Sequence, residues 1–196
     1  MIINFSFKIY SKIFYRFILV FMLFKTSNIM ANLIVANNSN YTNYLNALVP
    51  GDTLYLRQGV YDKNLKLNGL NGTPLEPIVI IGEANKTIFI GQSCCNTVSI
   101  TKCSYLVIKN IQLDGQNLSI DAVKAEGTTG NWAHHITIEY LNIINYGNSQ
   151  QNVGISTKCS AWNWLIRKNT IIGAGTGMYL GNSNGDAICR ECATSR

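Results

Sequence analysis

The sequence has little charge, little helical periodicity and few motifs that mark a known chemistry. Charged residues make up 13% of its 196 residues and hydrophobic residues make up 47%. This balance excludes a disordered chain and provides apolar material for a core. The sequence contains neither a glycine-rich nucleotide fingerprint nor a nucleophile elbow. These absences argue against a nucleotide-binding protein and against a serine hydrolase.

The net charge of +6 does not indicate nucleic-acid binding. Four basic residues, Lys8, Lys12, Arg16 and Lys25, lie within the segment 1–31, which contains no acidic residue. The rest of the chain carries 12 basic and 10 acidic residues, so its charge is nearly balanced. We therefore expect no nucleic-acid partner.

The segment 1–31 resembles a secretory signal peptide. A basic stretch precedes the apolar run FILVFMLF (17–24), and polar residues and Ala31 follow it. The run is far shorter than the roughly 20 residues of a spanning helix; an uncleaved signal anchor is the alternative. We expect a signal peptide over 1–31 and a folded domain over 32–187. The protein is then secreted or periplasmic, without membrane contact after cleavage.

Short strands separated by Gly, Asn and Pro turns follow one candidate helix. The helix is predicted over 40–48, with Asn40 as its N-cap and Pro50 after its end. From Val98 onward the strands form sets of three. Successive sets open with VSI (98–100), AVKA (122–125), VGIS (153–156) and GMYL (177–180). Internal repeats with periods of roughly 20 to 50 residues indicate a solenoid, a propeller or another repeat array.

The short strands and their connections select a parallel β-helix among these architectures. Each strand has three or four residues and ends in a tight turn, and no two-residue hairpin pattern is present. Three strands per coil, stacked on the next coil about 4.8 Å away, bury a continuous apolar interior. The sequence therefore predicts an all-β parallel β-helix, or solenoid, with a short N-terminal capping helix.

Alignment of the repeats predicts which side chains face inward and which face outward. One inward column contains Ile108, Ile138 and Ile166. The neighbouring outward column alternates in charge, with Lys109, Glu139 and Arg167. Unlike charges on adjacent strands favour a solvated salt ladder, and a charged binding strip is the alternative interpretation.

Three outward residues are the candidates for a substrate groove: Lys124, Glu126 and His135. Lys124 and Glu126 lie on the first strand of a set, where a base beside a carboxylate is able to contact sugar, although exposed charge that only solubilises is the simpler interpretation. His135 is expected to face outward and His134 inward. A role in proton transfer is one interpretation, and packing near Trp132 is the simpler one. Four aromatic residues are able to stack on sugar rings or to fill turns: Tyr140, Tyr146, Trp162 and Tyr179. No catalytic residue is assigned.

The six cysteines permit disulfides in an oxidising compartment, but the repeat restricts their pairing. Cys103 and Cys159 occur in two copies of TKCS, two coils or about 9–10 Å apart. This separation exceeds the reach of a disulfide, so we predict that they are not bonded to each other. Adjacent Cys94 and Cys95 are expected to pack. The lone CREC motif (189–192) has no partner pair that would complete a metal site, so we interpret it as an incidental part of the tail, with zinc binding or redox chemistry as the alternative.

The chain carries, most clearly in its N-terminal part, a resemblance to exported proteins of the pectate-lyase-like superfamily. YLNALVPGDTLYLRQGVYD (44–62), GTPLEPIVIIGE (72–83) and YLVIKNIQLDG (105–115) are similar to the opening of alginate lyases, chondroitinase-B-like enzymes and epimerase-like proteins. The resemblance covers about 44–186 and implies a right-handed parallel β-helix. It also implies a polysaccharide partner.

Lyases of this superfamily use a cation, often calcium, to neutralise a uronate carboxylate while a basic side chain removes the C5 proton. None of those catalytic positions matches this sequence residue by residue, so the resemblance implies calcium only for a full-length lyase. We expect no metal site in this chain. The oligomeric state and the particular polysaccharide are not indicated.

The strand pattern ends after GNSNGD (181–186), and the segment 188–196 is predicted to be an irregular tail. It offers no capping helix to cover the open edge, which favours a truncated gene product. Two functions therefore stay open. One is the N-terminal part of a lyase or epimerase that acts on a uronate-containing polymer, without its catalytic coils. The other is a non-catalytic, adhesin-like β-helix module that binds carbohydrate.

Overall fold

The computed structural model describes residues 30–127, 132–158 and 161–181, and the backbone of 193–195. The predicted signal peptide, except for its last two residues, and the CREC motif lie outside these ranges. Within them, no helix is long and apolar enough to cross a membrane. The boundaries predicted for the signal peptide and the domain stay predictions.

In the described ranges the elements are one short helix and eighteen short strands. In chain order they are β1 (Leu33–Ala36), α1 (Thr42–Leu45), β2 (Thr53–Leu56), β3 (Gly59–Tyr61), β4 (Leu65–Asn68), β5 (Ile78–Ile81), β6 (Thr87–Ile90), β7 (Val98–Thr101), β8 (Ser104–Lys109), β9 (Gln112–Asp114), β10 (Val123–Ala125), β11 (Ala133–Glu139), β12 (Asn142–Tyr146), β13 (Val153–Ser156), β14 (Ala161–Trp162), β15 (Leu165–Arg167), β16 (Thr170–Ala174), β17 (Thr176–Tyr179) and β18 (Ala193–Ser195).

These strands stack into three parallel sheets. Sheet A has the order β1-β2-β5-β8-β11-β15-β18, with β14 also paired to β11. Sheet B has the order β3-β6-β9-β12-β16, and sheet C has the order β4-β7-β10-β13-β17. Consecutive strands mostly go to different sheets, and each strand pairs with its counterpart from the next coil. The predicted all-β parallel solenoid is confirmed.

The predicted inward column lies in the core. Ile80, Ile108, Ile138 and Ile166 are register partners on neighbouring strands of sheet A, and each is buried. Sheets B and C face them with columns of their own, so the interior is apolar along its length. The side chains alternate along most of the strands, because a strand has a two-residue period.

The capping helix α1 is shorter than predicted and begins differently. Its N-cap residue is Tyr41, which makes no side-chain capping bond. Asn40 does not cap the helix, because its Oδ1 atom accepts the Asn37 N–H instead. The Tyr41 ring is buried edge-on against Tyr61 and Phe89, at centroid distances of 5.3 and 5.6 Å, and so covers the first coil.

The outward charged column forms an ion-pair ladder on sheet A. Glu139 pairs with Arg167 at 2.7 Å and with Lys109 at 3.9 Å. The geometry matches a salt ladder, but Glu139 is buried between its neighbours rather than solvated. Its carboxylate is therefore occupied by the protein.

Left-handed residues make the corner between sheets A and B. Asn110, Tyr140 and Lys168 have φ values of 57°, 54° and 55°, and each directly follows the ladder residue of its own strand. A positive φ favours asparagine and disfavours tyrosine and lysine. The repeated corner therefore follows from the stacking of coils more than from the local sequence.

The predicted irregular tail contains one strand. The backbone of β18 pairs in parallel with β15, so that Leu165 lies opposite Ala193. The coil therefore continues on sheet A beyond the point where the sequence repeat ends.

Replacement of Ile138 by alanine is expected to lower the free energy of unfolding by about 2–5 kcal/mol, because it leaves a cavity in a fully buried column. Thr137→Ala, one position along the same strand on its outer face, is the matched control. Chemical denaturation measures both variants. Equal losses in the two variants would contradict the assignment of inward and outward positions.

The carboxylate of Asp52 accepts N–H groups of Val49 and Asn32 at 3.0 Å each and the Asn32 side-chain amide at 3.1 Å. Burial on its own raises the pKa of Asp52, but these hydrogen bonds outweigh it and hold the pKa below its ordinary value of 3.8. The folded chain therefore stabilises the charged form of Asp52 more than the unfolded chain does.

Because the folded pKa of Asp52 is depressed, its stabilisation is present above about pH 3.8 and is lost as the pH falls towards the folded value. We expect Asp52→Asn to destabilise the protein by about 1–3 kcal/mol at neutral pH. The difference from wild type is then expected to shrink in acid. Unfolding at a series of pH values tests this, with exposed Asp62→Asn as control. A difference that stays constant down to the acid limit would contradict it.

Candidate functional site

A polar groove of about 490 Å³ crosses the outer face of sheet C. Lys124 of β10, Ser156 of β13 and Tyr179 of β17 line it, and they are successive register partners. Since neighbouring strands are about 4.8 Å apart, a column of register partners runs along the solenoid axis. The groove therefore has the direction and the openness to take an extended chain.

One wall of the groove is the loop that leads into β13. The Asn152 carboxamide oxygen accepts the Ser149 N–H at 2.9 Å and the Ser149 hydroxyl at 3.0 Å. The Thr176 hydroxyl donates to the Gln150 carbonyl at 2.8 Å. These bonds attach the loop to itself and to the next strand, so the wall is built before any ligand arrives.

The opposite wall includes Asp121, which is buried. Its Oδ1 atom accepts the Val153 N–H at 2.9 Å, and its Oδ2 atom pairs with the Lys124 ammonium at 3.2 Å. Asp121 therefore joins the two walls and fixes the position of Lys124. Each oxygen of this carboxylate therefore already has a partner within the protein.

Lys158 supplies a second cation at the end of the groove. It is exposed, and its ammonium lies 5.9 Å from the centroid of the Tyr179 ring. Tyr179 is 42% exposed, so part of its ring is open to a ligand. An ammonium beside an aromatic ring is able to hold a carboxylate and the apolar face of a sugar ring together.

The predicted pair of Lys124 and Glu126 does not form. Lys124 lies in the groove, but it bonds to Asp121. Glu126 accepts hydrogen bonds from the Asn96 amide and, at 3.1 Å, from the Ser99 hydroxyl. Both charges face outward as predicted, yet the ammonium and the carboxylate have different partners. They are therefore not poised as an acid–base couple.

His135 lies on sheet A, outside the groove. Its Nδ1 atom is 2.7 Å from Nδ1 of His134, and its Nε2 atom is 2.9 Å from the Asn163 amide nitrogen. His134 does not take the inward position that alternation predicts, because His135 has a positive φ of 54° and resets the alternation. Ala133 is the buried residue instead.

The four aromatic candidates have four different environments. Tyr146 is fully buried, and its hydroxyl is 2.7 Å from that of Thr97, so it fills the core. Tyr140 occupies the corner described above and contacts Lys168. Trp162 stacks on His134 on sheet A. Only Tyr179 of the four lines the groove.

Sequence reasoning missed Asp121, Lys158 and the groove loop. Lys158 lies two residues beyond Ser156, just as Glu126 lies two residues beyond Lys124, the register partner of Ser156. An alignment of the two strands could therefore have placed Lys158 beside Glu126. The contact of Asp121 with Val153 joins residues that are 32 positions apart in the chain. No local pattern marks it.

The described residues offer no site that fits calcium. Across residues 30–127, 132–158 and 161–181, no group of three or more His, Cys, Asp or Glu side chains could hold a metal ion. Calcium requires six to eight oxygen ligands, and the groove carboxylate Asp121 is already bonded to Lys124 and Val153. No step of any reaction is therefore assigned to calcium here.

The cysteines differ from expectation in one pair. Cys94 and Cys95 form a vicinal disulfide, whereas the sequence suggested packing alone. Cys103 is buried and unpaired among the described residues, with Sγ 3.2 Å from the Thr101 carbonyl oxygen. Cys159 lies outside the described ranges, so the relation between it and Cys103 stays a prediction.

These features define a class: a parallel β-solenoid with a polar groove along one sheet. No family model matches the chain, and no curated protein matches it. Several solved structures do match the chain. The alginate lyase from Paenibacillus sp. str. FPU-7 has a TM-score of 0.56 and 19% identity, over 70% of this chain and 43% of that one.

Two further structures have the same fold. The GH136 lacto-N-biosidase from Eubacterium ramulus has a TM-score of 0.57 and 16% identity, over 72% of this chain and 34% of that one. The PL6 family alginate lyase AlyGC has a TM-score of 0.53 and 15% identity, over 69% and 21%. This chain therefore spans about a fifth to two fifths of these β-helix enzymes. At such identities the likeness establishes the fold.

Replacement of Asp121 by asparagine is expected to lower the free energy of unfolding by about 1–3 kcal/mol, because a buried carboxylate loses its ion pair and weakens its bond to Val153. Glu76→Gln, an exposed carboxylate with no side-chain bond in the described structure, is the matched control. Thermal unfolding measures both. An Asp121 variant as stable as the control would contradict the role of Asp121 in joining the walls.

Proposed function

We propose that this chain binds a uronate-containing polysaccharide along the groove of sheet C. The observation that carries the proposal is the placement of Lys158 beside the exposed ring of Tyr179, with Lys124 in the same groove on a neighbouring strand of the sheet. The ammonium groups match uronate carboxylates, and the ring matches the apolar face of a pyranose. The fold shared with alginate lyases and a lacto-N-biosidase supports a sugar polymer as the ligand class.

The groove is suited to a polymer more than to a small ligand. It is open and polar, and amide and hydroxyl groups line it between the charged residues. Sugar hydroxyls both donate and accept, so side chains such as those of Asn96, Gln151 and Thr176 are able to bind them. A polymer that lies along the axis presents successive carboxylates to Lys124 and Lys158.

A lyase or epimerase activity requires more than binding. It needs a base at C5 and a positive group that neutralises the uronate carboxylate. Lys158 is able to serve the second role, since it is exposed and lacks an ion pair among the described contacts. Lys124 is held by Asp121 and is less suited to remove a proton. A binding module is therefore the function that these residues support best, and a lyase or epimerase is the second candidate.

The binding proposal is tested with polyuronates of different sugar composition. Lys158→Gln and Lys124→Gln are each expected to weaken binding to alginate or pectate about five- to tenfold, which corresponds to loss of one charge-assisted contact. Lys86→Gln, an exposed lysine on the turn before β6, is the matched control. Affinity electrophoresis measures all three. Binding that is unchanged by both groove variants would refute this site.

The two candidates are separated by a product assay on the same samples. β-Elimination leaves an unsaturated uronate end, which is detected by its ultraviolet absorbance, and epimerisation changes the polymer's sugar composition without cleavage. Binding without either product supports a binding module. Product formation that Lys158→Gln abolishes supports the enzyme.

A further inference from the structure

Two adjacent histidines on sheet A form a second polar cluster, separate from the groove of sheet C. Neighbouring residues of a strand normally point to opposite faces. The positive φ of His135 breaks this alternation, and the rings of His134 and His135 converge. Their Nδ1 atoms are 2.7 Å apart. Only one hydrogen fits between two ring nitrogens at this distance, so one ring donates and the other accepts.

Stacking and one hydrogen bond hold both rings in this arrangement. The ring of His134 lies parallel to Trp162 at a centroid distance of 4.3 Å, and that of His135 lies on Tyr105 at 4.4 Å. The amide nitrogen of Asn163 lies 2.9 Å from Nε2 of His135 and donates to this atom when it carries no hydrogen. When Nε2 carries a hydrogen, the amide turns its oxygen towards the ring and accepts that hydrogen. Nε2 of His135 is therefore engaged by the protein, and its Nδ1 is left facing His134. Metal-binding histidines are commonly oriented by such a bond at the second ring nitrogen.

In two neutral rings the shared hydrogen belongs to one Nδ1 atom, and the other Nδ1 atom accepts it. Neutral imidazole is the form that binds metal ions. The pair therefore presents a lone pair and a displaceable proton at a fixed place.

We propose that His134 and His135 chelate a divalent ion of the imidazole-binding kind, such as Zn²⁺, through their two Nδ1 atoms, with Asn163 as a positioning residue. The ion takes the place of the shared hydrogen, which moves through solvent to the bare Nε2 atom of the ring that had donated it, so the two neutral rings carry two hydrogens before and after. Zn–N bonds of about 2.0–2.1 Å require a nitrogen separation of roughly 2.9–3.3 Å for angles between square and tetrahedral. The rings need to move apart by a few tenths of an ångström and to tilt, because two lone pairs that meet at one ion do not point at each other as the donor and acceptor of a hydrogen bond do. Water completes the coordination.

This site is independent of the proposed polysaccharide function. It lies on a different sheet, uses none of the groove residues and binds its ion without a sugar ligand. Failure of polysaccharide binding would leave it untouched, and the reverse also holds.

The histidine content of the chain makes the test unusually specific. The whole chain has two histidines, so a long-range ¹H–¹⁵N spectrum of the full chain contains four imidazole nitrogens. Titration with Zn²⁺ is expected to shift both Nδ1 signals to metal-bound positions and to end with both Nε2 atoms protonated, one of them newly so. Metal-bound shifts at the Nε2 atoms, or at neither Nδ1 atom, would overturn the proposal.

Variants supply a second, independent readout. In calorimetric titration with Zn²⁺, the double variant His134→Gln/His135→Gln is expected to lose one binding event that wild type has, even if cysteines elsewhere bind zinc. Asn163→Ala is expected to weaken that event about tenfold, and Asn145→Ala on sheet B, at a residue that also has a positive φ, is its matched control. Equal titrations of wild type and the double variant would overturn the site, and equal affinities of the two asparagine variants would overturn the role of Asn163.

Discussion

The parallel pairing of each strand with its counterpart one coil later is the constraint on which the rest of the structure depends. The longest strand in the described part of the chain is β11, with seven residues, and strands so short cannot bury a face by themselves. In-register stacking satisfies the backbone groups of each coil through the next one, and it places Ile80, Ile108, Ile138 and Ile166 in one buried column. The interior is thus continuous although each coil contributes only a few apolar side chains.

The same register constructs the surface features. A ladder of unlike charges on sheet A and a line of groove residues on sheet C both arise because outward side chains also stack from coil to coil. Glu139 is buried between two cations, whereas Lys158 at the end of the groove is exposed. The difference lies in how many neighbours each has, since a residue in the middle of a column has charged neighbours on both sides. We therefore expect a ligand to bind at the end of the groove, where the charge of Lys158 is exposed beside the ring of Tyr179.

Left-handed residues decide where the regular pattern changes direction. At Asn110, Tyr140 and Lys168 they turn the chain from sheet A to sheet B. At Tyr105, His135 and Asn163, with φ values of 49°, 54° and 52°, they shift the alternation within or beside strands of sheet A. This second set brings two histidine rings to one face and aligns them with an asparagine on the next coil. A repeated backbone conformation thus generates a chemical cluster that no single coil contains.

The sequence by itself determined the solenoid, the succession of its coils and the inward column, because a two-residue period and the return of similar strand sets are local properties that can be counted. It also identified Lys124, Glu126 and His135 as outward residues. Tertiary structure alone decided their partners: Lys124 bonds to Asp121, Glu126 bonds to Asn96 and Ser99, and His135 faces His134. Those contacts depend on loop paths and on backbone conformations such as the positive φ of His135. A positive φ is uncommon in residues other than glycine. We attribute it here to the stacking of neighbouring coils, and no local sequence pattern predicts it.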